Sequence, residues 1–297
     1  MTAMVTKVCD LTEIRARRPE AISEAAAARR RRPLLRDDGR LLLVAADHPG
    51  RGALGVRAEP AAMASRTDLL QRLQDALARP GVDGVLGTPD VLEDLLLLGA
   101  LDDKVVIGSM NRGGLQGAVF ELDDRFTAYD PATIEAMRFS GGKMLTRVDL
   151  DDPATATTLE ACGRAVSDLA SRRLVAMVEP FMSRRSGGRV TNALTAEAVV
   201  RSVAICQALG ATSAYTWLKV PVVEEMERVM DATTLPTLLL GGDPVGDPDD
   251  TYATWERALA LPSVRGMVVG RALLYPRDGD VAAAVDLAAG LVRGSRS

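Results

Sequence analysis

Apolar residues along this chain gather in short runs bounded by Gly, Pro or Asp. Most runs are followed by a longer stretch whose apolar positions recur three and four residues apart. The runs predict strands at Leu41–Ala46, Gly84–Gly87, Val105–Ser109, Lys143–Val148, Val175–Glu179, Ala214–Val220, Thr237–Leu240 and Met267–Val269. The periodic stretches predict helices over Ala61–Leu77, Pro89–Leu98, Pro131–Phe139, Pro153–Leu169, Ala196–Leu209, Val222–Met230, Thr251–Leu259 and Val281–Val292. Strand and helix alternate through the chain, which is the pattern of an α/β protein with a parallel sheet. Eight strands in 297 residues point to a closed (β/α)8 TIM barrel, which typically needs about 250. An open doubly wound sheet is the runner-up, weakened because no GxGxxG follows the first strand and no P-loop is present. Residues 1–40 read as a helical extension carrying one extra helix, Leu11–Arg31, and no linker divides 1–297 into two domains.

Composition narrows the chemistry. A hydrophobic content of 47% supports a large core, and 3% aromatics means that Leu, Val, Ala and Met must fill it. A net charge of −4 gives no case for nucleic acid or an anionic membrane as partner. The basic run Arg29–Arg32 reads as the polar end of a helix. Cys9, Cys162 and Cys206 are widely spaced with no CxxC, which argues against a disulfide framework or zinc site and for a reduced, cytoplasmic protein. No signal core opens the chain, and no apolar run approaches the ~20 residues that span a bilayer. His48 is the one histidine, so a cluster of His ligands is excluded. Of 36 basic residues only Lys7, Lys104, Lys143 and Lys219 are lysines. A lysine inside an apolar segment of such a chain calls for a reason that arginine does not satisfy.

In an α/β barrel the chemistry sits at the C-terminal ends of the strands. The first strand leaves through Asp47 and His48 into a Gly-rich loop, so both are expected at the barrel mouth, although an Asp capping a turn is the plainer reading. Alternation on the fourth strand puts Lys143, Leu145 and Arg147 on one face, expected to point inward because helices cover the outside. Glu179 closes the fifth strand just before Pro180. Tyr215, Trp217 and Lys219 share a face of the sixth, and Lys219 is the sharpest signal in the sequence. A desolvated lysine beside a second cation gives up its proton more readily, which yields the neutral amine that attacks a carbonyl. The plainer reading of Lys219 is a buried ion pair with Glu179. The seventh and eighth strands end in Gly241-Gly242-Asp243 and Gly270-Arg271. Backbone N–H groups at such glycines approach an anion closely, Arg271 adds a bidentate contact, and barrel phosphate sites recur in these two loops.

With those residues in view, the chain resembles the class I aldolases of the tagatose-bisphosphate, sulfofructose-phosphate and deoxyribose-phosphate aldolase superfamily. The likeness runs from about Leu41 to Tyr275 and is carried by AADHPGRG (45–52), GGKMLTRVDLDDP (141–153), VEPF (178–181), WLKVP (217–221), LLLGGDP (238–244) and VVGRALLYP (268–276). It implies Lys219 as the Schiff-base lysine and Glu179 as the acid/base group. Lys143 and Asp47 would bind and polarise substrate oxygens, and Gly241, Gly242, Gly270 and Arg271 would hold phosphate. The His48-Pro49 dipeptide and the loop 111–130 depart from the tagatose enzymes and bear on the far end of the substrate. More narrowly, the chain resembles an actinobacterial aldolase-like group associated with inositol catabolism. That resemblance implies cleavage of 2-deoxy-5-keto-gluconate 6-phosphate to dihydroxyacetone phosphate and malonate semialdehyde.

The expectation is therefore a metal-free, cofactor-free lyase acting on a small-molecule sugar phosphate, with a homo-oligomer left open. Lys219, Glu179, Lys143 and Asp47 would be catalytic, and His48, Arg147 and the two glycine loops would bind substrate. The alternatives are action on another sugar phosphate, a metal-dependent aldolase, a barrel isomerase using Glu179 as base, and a non-catalytic sugar-phosphate-binding barrel.

Overall fold

Eight of the apolar runs hydrogen-bond in parallel into a closed ring. The computed structural model describes residues 7–242 and 248–294. Its strands are β1 (Leu41–Ala46), β2 (Gly84–Gly87), β3 (Val105–Ser109), β4 (Gly141–Val148), β5 (Val175–Ser186), β6 (Arg189–Asn192), β7 (Thr216–Pro221), β8 (Thr237–Leu240) and β9 (Val264–Val269). The ring runs β1-β2-β3-β4-β5-β7-β8-β9 and closes from β9 onto β1, a (β/α)8 barrel. Each strand alternates between two apolar environments. Leu42, Val44, Val85, Val106, Val178 and Leu218 face the helices, while Leu41, Leu43, Leu86, Ile107, Met177 and Trp217 fill the interior. Burial on both faces explains why the strands read as continuous apolar runs.

Where strands must approach closely, glycine is required. A Cβ on Gly84 would fall on the Val105 carbonyl, and one on Gly266 (φ 137°) would fall on that of Leu41.

Several sequence-based boundaries shift. The expected helix Leu11–Arg31 is two helices, α1 (Leu11–Arg17) and α2 (Ala21–Ala28), because the chain leaves helical geometry at Arg18 before Pro19. The helix expected from Ala61 starts at Arg66 (α3, Arg66–Ala78), where Ser65 accepts from Asp68 N. Val222–Met230 shrinks to Met226–Asp231, because Glu225 adopts φ 57°. β9 begins three residues before Met267, at Val264, with the polar Arg265 pointing out to solvent. β5 runs seven residues past Glu179 and pairs antiparallel with β6 through the Gly187-Gly188 turn. That hairpin is polar and was not expected.

The closed end of the barrel is sealed by Leu34 and Leu35, which pack on the interior cluster. There the fully buried Asp83 accepts from Arg32 Nη1 at 2.6 Å, from Arg293 Nη2 at 3.0 Å and from Leu42 N at 2.8 Å. Arg293 ends the last helix, Val281–Arg293. No described helix is long and apolar enough to cross a membrane.

Candidate active site

The upper interior layer of the barrel breaks the apolar pattern. Inward-facing positions pass from Ala45 to Asp47 on β1, from Ile107 to Ser109 on β3, from Met177 to Glu179 on β5 and from Trp217 to Lys219 on β7. Lys143 pairs in register with Ser109 on one side and Met177 on the other, so it joins the same layer. All five polar side chains are buried, at 7% exposure or less. Charges this deep persist only when paired, and here they pair in alternation.

Lys219 Nζ donates to Glu179 Oε1 at 2.6 Å, and Lys143 Nζ is ion-paired with Glu179 Oε2. The same Lys143 Nζ donates to Asp47 Oδ2 at 3.1 Å. Arg112 Nη1 reaches that oxygen at 3.1 Å and Ser109 Oγ at 3.3 Å, while Arg112 Nη2 donates to the Asp47 carbonyl. The order is therefore arginine, carboxylate, lysine, carboxylate, lysine. Asp47 Oδ2 is fully engaged, whereas among the described residues Oδ1 has only His48 Nδ1 at 3.9 Å, beyond hydrogen-bonding distance.

The chain of charges sets the protonation states. Burial pushes the Glu179 carboxyl up, but Lys143 and Lys219 outweigh it and bring it down to about 2. Burial likewise opposes ionisation of Asp47, and Lys143 and Arg112 overcome it, holding that group well below the usual carboxylate range. Lys143 moves down, first through burial and then through Lys219 and Arg112, against its two carboxylates. His48 is lowered to about 4 by burial, with Arg271 and Lys219 adding to the effect, so it is neutral at physiological pH.

These groups open onto a cavity of about 740 Å³ at the C-terminal end of the barrel. Asp47, His48, Lys143, Glu179 and Lys219 line it, together with Gly241, Gly242 and Arg271 across the mouth. Gly270 sits behind that rim, packed so that a Cβ would lie 2.5 Å from the Ala45 carbonyl oxygen. Gly242 takes φ 66°. Asp243 and Pro244, at the end of the same motif, lie outside the described residues. The β5–β6 hairpin contributes Phe181 and Asn192 to the wall.

Two expected binding residues are not among those lining this cavity, Gly270 behind its rim and Arg147. Arg147 turns away into the loop 111–130, where its Nε and Nη2 donate to Asp124 at 2.9 and 2.7 Å. The inward face of β4 was read correctly, but the side chain is long enough to leave it for a buried carboxylate. Two charged cavity residues were missed by sequence reasoning, Arg51 and Arg112. Arg112 follows β3 in the run Asn111-Arg112-Gly113-Gly114, a polar pair before glycines of the kind singled out at other strand exits. Asn111 stitches β3 to β4 by accepting from Leu145 N at 2.8 Å and donating to Leu145 O at 2.5 Å.

Residues 39–289 match the Cgl0159-like family. The chain belongs to that family. A crystal structure of Cgl0159 from Corynebacterium glutamicum (Brevibacterium flavum) is 57% identical, covers 96% of both chains and superposes with a TM-score of 0.94. An archaeal fructose 1,6-bisphosphate aldolase is 19% identical over 92% of this chain and 99% of its own, with a TM-score of 0.65. A Schiff base forming fructose-1,6-bisphosphate aldolase is 20% identical over 91% and 99%, with a TM-score of 0.64. At these identities the two aldolases share the fold. No curated protein matches the chain.

Proposed function

We propose that this protein is a class I aldolase that cleaves a phosphorylated keto sugar through a Schiff base on Lys219. The carrying observation is the buried lysine 2.6 Å from Glu179 Oε1 at the edge of the cavity. A purely structural ion pair accounts for Lys219 and Glu179. It leaves unexplained why Lys143, Asp47 and Arg112 extend the pair along a wall that faces open space. The fold shared with an aldolase that forms a Schiff base supports the same reading.

Lys219 passes a proton to Glu179, and its amine attacks the substrate ketone to give a carbinolamine. That step removes one of the two cations holding Glu179 down, so the carboxyl now carries the proton that leaves with the hydroxyl as water. The iminium that results withdraws the electron pair of the adjacent carbon–carbon bond. Glu179 takes the proton of the β-hydroxyl as that bond breaks, and the aldehyde departs. The enamine is protonated at carbon, and water then releases the ketone and restores Lys219. Lys143 and Asp47 Oδ1 hold the substrate hydroxyls. Gly241, Gly242, Gly270 and Arg271 hold the phosphate.

The specific substrate we propose is 2-deoxy-5-keto-gluconate 6-phosphate, of inositol catabolism. Its ketone neighbours the phosphate-bearing carbon, and retro-aldol cleavage between carbons three and four gives dihydroxyacetone phosphate and malonate semialdehyde. This substrate rests on the resemblance described above. The cellular setting that follows is the cytoplasm. Borohydride reduction in the presence of dihydroxyacetone phosphate is expected to fix a reduced adduct on the peptide containing Lys219. Turnover of substrate with no adduct on that peptide would overturn the mechanism.

A further inference from the structure

One buried cation in the cavity wall has no step in the proposed chemistry. Arg112 follows β3 at the start of the loop 111–130, next to the Asn111 that stitches β3 to β4. Only 7% of its surface is exposed. Both ends of its guanidinium fork close on a single residue. Nη1 donates to Asp47 Oδ2 at 3.1 Å, and Nη2 donates to the main-chain carbonyl of Asp47. The third nitrogen, Nε, is shut in on the other side, where a Cβ on Gly50 would lie 3.1 Å from it. Glycine at position 50 leaves the guanidinium room to lie against the exit of β1.

The two contacts act together. A carboxylate held at one oxygen alone still turns about its last torsion, which is soft at an sp² carbon. The grip on the carbonyl ties the guanidinium to the main chain, so its bond to Oδ2 sets the direction of the whole carboxylate. Ser109 Oγ at 3.3 Å and Lys143 Nζ at 3.1 Å complete the set on Oδ2. Oδ1 is the oxygen left for a ligand in the cavity that Asp47 lines. The arginine also gives Asp47 a second cation. Lys143 serves Glu179 as well, so a substrate oxygen that draws Lys143 away leaves Asp47 still paired. Burial brings Arg112 down to about 10, which keeps it charged at physiological pH.

We infer that Arg112 is a positioning residue that acts on the substrate through Asp47: its fork holds Oδ2 and the main-chain carbonyl together and so points Oδ1 at a substrate hydroxyl. The inference rests on the proposed role of Asp47 as a hydroxyl-binding group. It adds to that role the side chain that aims it.

Mannitol 1-phosphate carries hydroxyls and no carbonyl, so its binding to the full chain reads hydroxyl recognition apart from chemistry. Calorimetric titration is run on the wild type, Arg112→Met, Asp47→Asn and the double variant. Each single variant is expected to bind about tenfold more weakly than the wild type. The double variant is expected to stay within about threefold of Asp47→Asn, because the arginine then has nothing left to aim. A further loss of about tenfold would mean that Arg112 meets the ligand itself or props the wall in general, and would overturn the inference. Wild-type affinity in Arg112→Met would overturn it too, as would a wild type that does not bind. Arg112→Lys keeps the cation without the double grip and is expected to recover part of the affinity. A folded lysine variant no better than methionine also counts against the inference. If Arg112→Met fails to fold, the same cycle run with Arg112→Lys decides. The dihydroxyacetone phosphate adduct on Lys219 is scored separately in the wild type. A trapped adduct with additive losses removes the positioning role and leaves the aldolase reading. No adduct with coupled losses removes the aldolase reading and leaves the role of Arg112 standing.

Discussion

Lys143 Nζ bridges two carboxylates, Asp47 Oδ2 at 3.1 Å and Glu179 Oε2, while among the described residues Lys219 is ion-paired with Glu179 alone. The two lysines therefore have separable duties. Lys219→Met is expected to abolish both turnover and the borohydride adduct. Lys143→Met is expected to lower kcat by about 10²–10⁴, the usual worth of an acid/base or polarising group, and still to form the adduct with dihydroxyacetone phosphate. Peptide mass mapping after reduction separates the two outcomes, and an adduct surviving in Lys219→Met would contradict the assignment.

Glu179 is the shared counter-charge of two buried ammonium groups. Glu179→Gln leaves both of them facing a neutral amide, and removing one partner of a buried pair typically costs about 3–5 kcal/mol. A fall in the urea midpoint together with a lower kcat is expected. Unchanged stability would mean that the lysines find other partners.

Acid should unfold the protein in two stages. His48 is lowered to about 4 in the fold, whereas an unfolded histidine binds its proton near about 6.5. Its contribution is complete above the higher value and is lost as pH falls through that window. Glu179 is lowered to about 2 from 4.5, so its contribution is lost below that range, between 4.5 and 2. Urea midpoints measured across this pH range should decline in both stages, and His48→Gln should flatten the upper one only.

Two glycines assigned to phosphate in the proposed function should respond differently to alanine. At Gly242 the added Cβ meets nothing within 4 Å, but φ is 66°, so the cost is backbone strain of about 1–2 kcal/mol, read as lost stability. At Gly270 the Cβ would press on the Ala45 carbonyl at 2.5 Å and on His48 Cε1 at 3.0 Å. Gly270→Ala should therefore displace the exit of β1 and lower kcat/KM more than Gly242→Ala does.

A Schiff-base mechanism uses the lysine as its own electron sink, with no Lewis acid. Activity is expected to be unchanged after dialysis against EDTA. A loss restored by a divalent cation would favour a metal-dependent aldolase instead.

The barrel was legible because its strands are buried on both faces and stand out as short apolar runs between helical stretches. The β5–β6 hairpin was not. Its residues Ser183–Asn192 are largely polar and carry no period that marks them off from a loop. At the cavity, Lys219 and Lys143 announced themselves by rarity in a chain that otherwise uses arginine. Arg112 and Asp124 are two of many arginines and aspartates, and their partners lie 65 and 73 residues away. Arg147 marks the limit of strand alternation: the pattern gives the face from which a side chain starts, and a six-bond side chain ends where a buried carboxylate draws it.

The fastening at Asp83 has a mechanical consequence. One carboxylate holds Arg32, ahead of the first strand, and Arg293, at the end of the last helix. A load drawn between Arg32 and Arg293 would be taken up at this knot on the floor of the barrel. The cavity at the opposite rim would feel it only after the knot had given way.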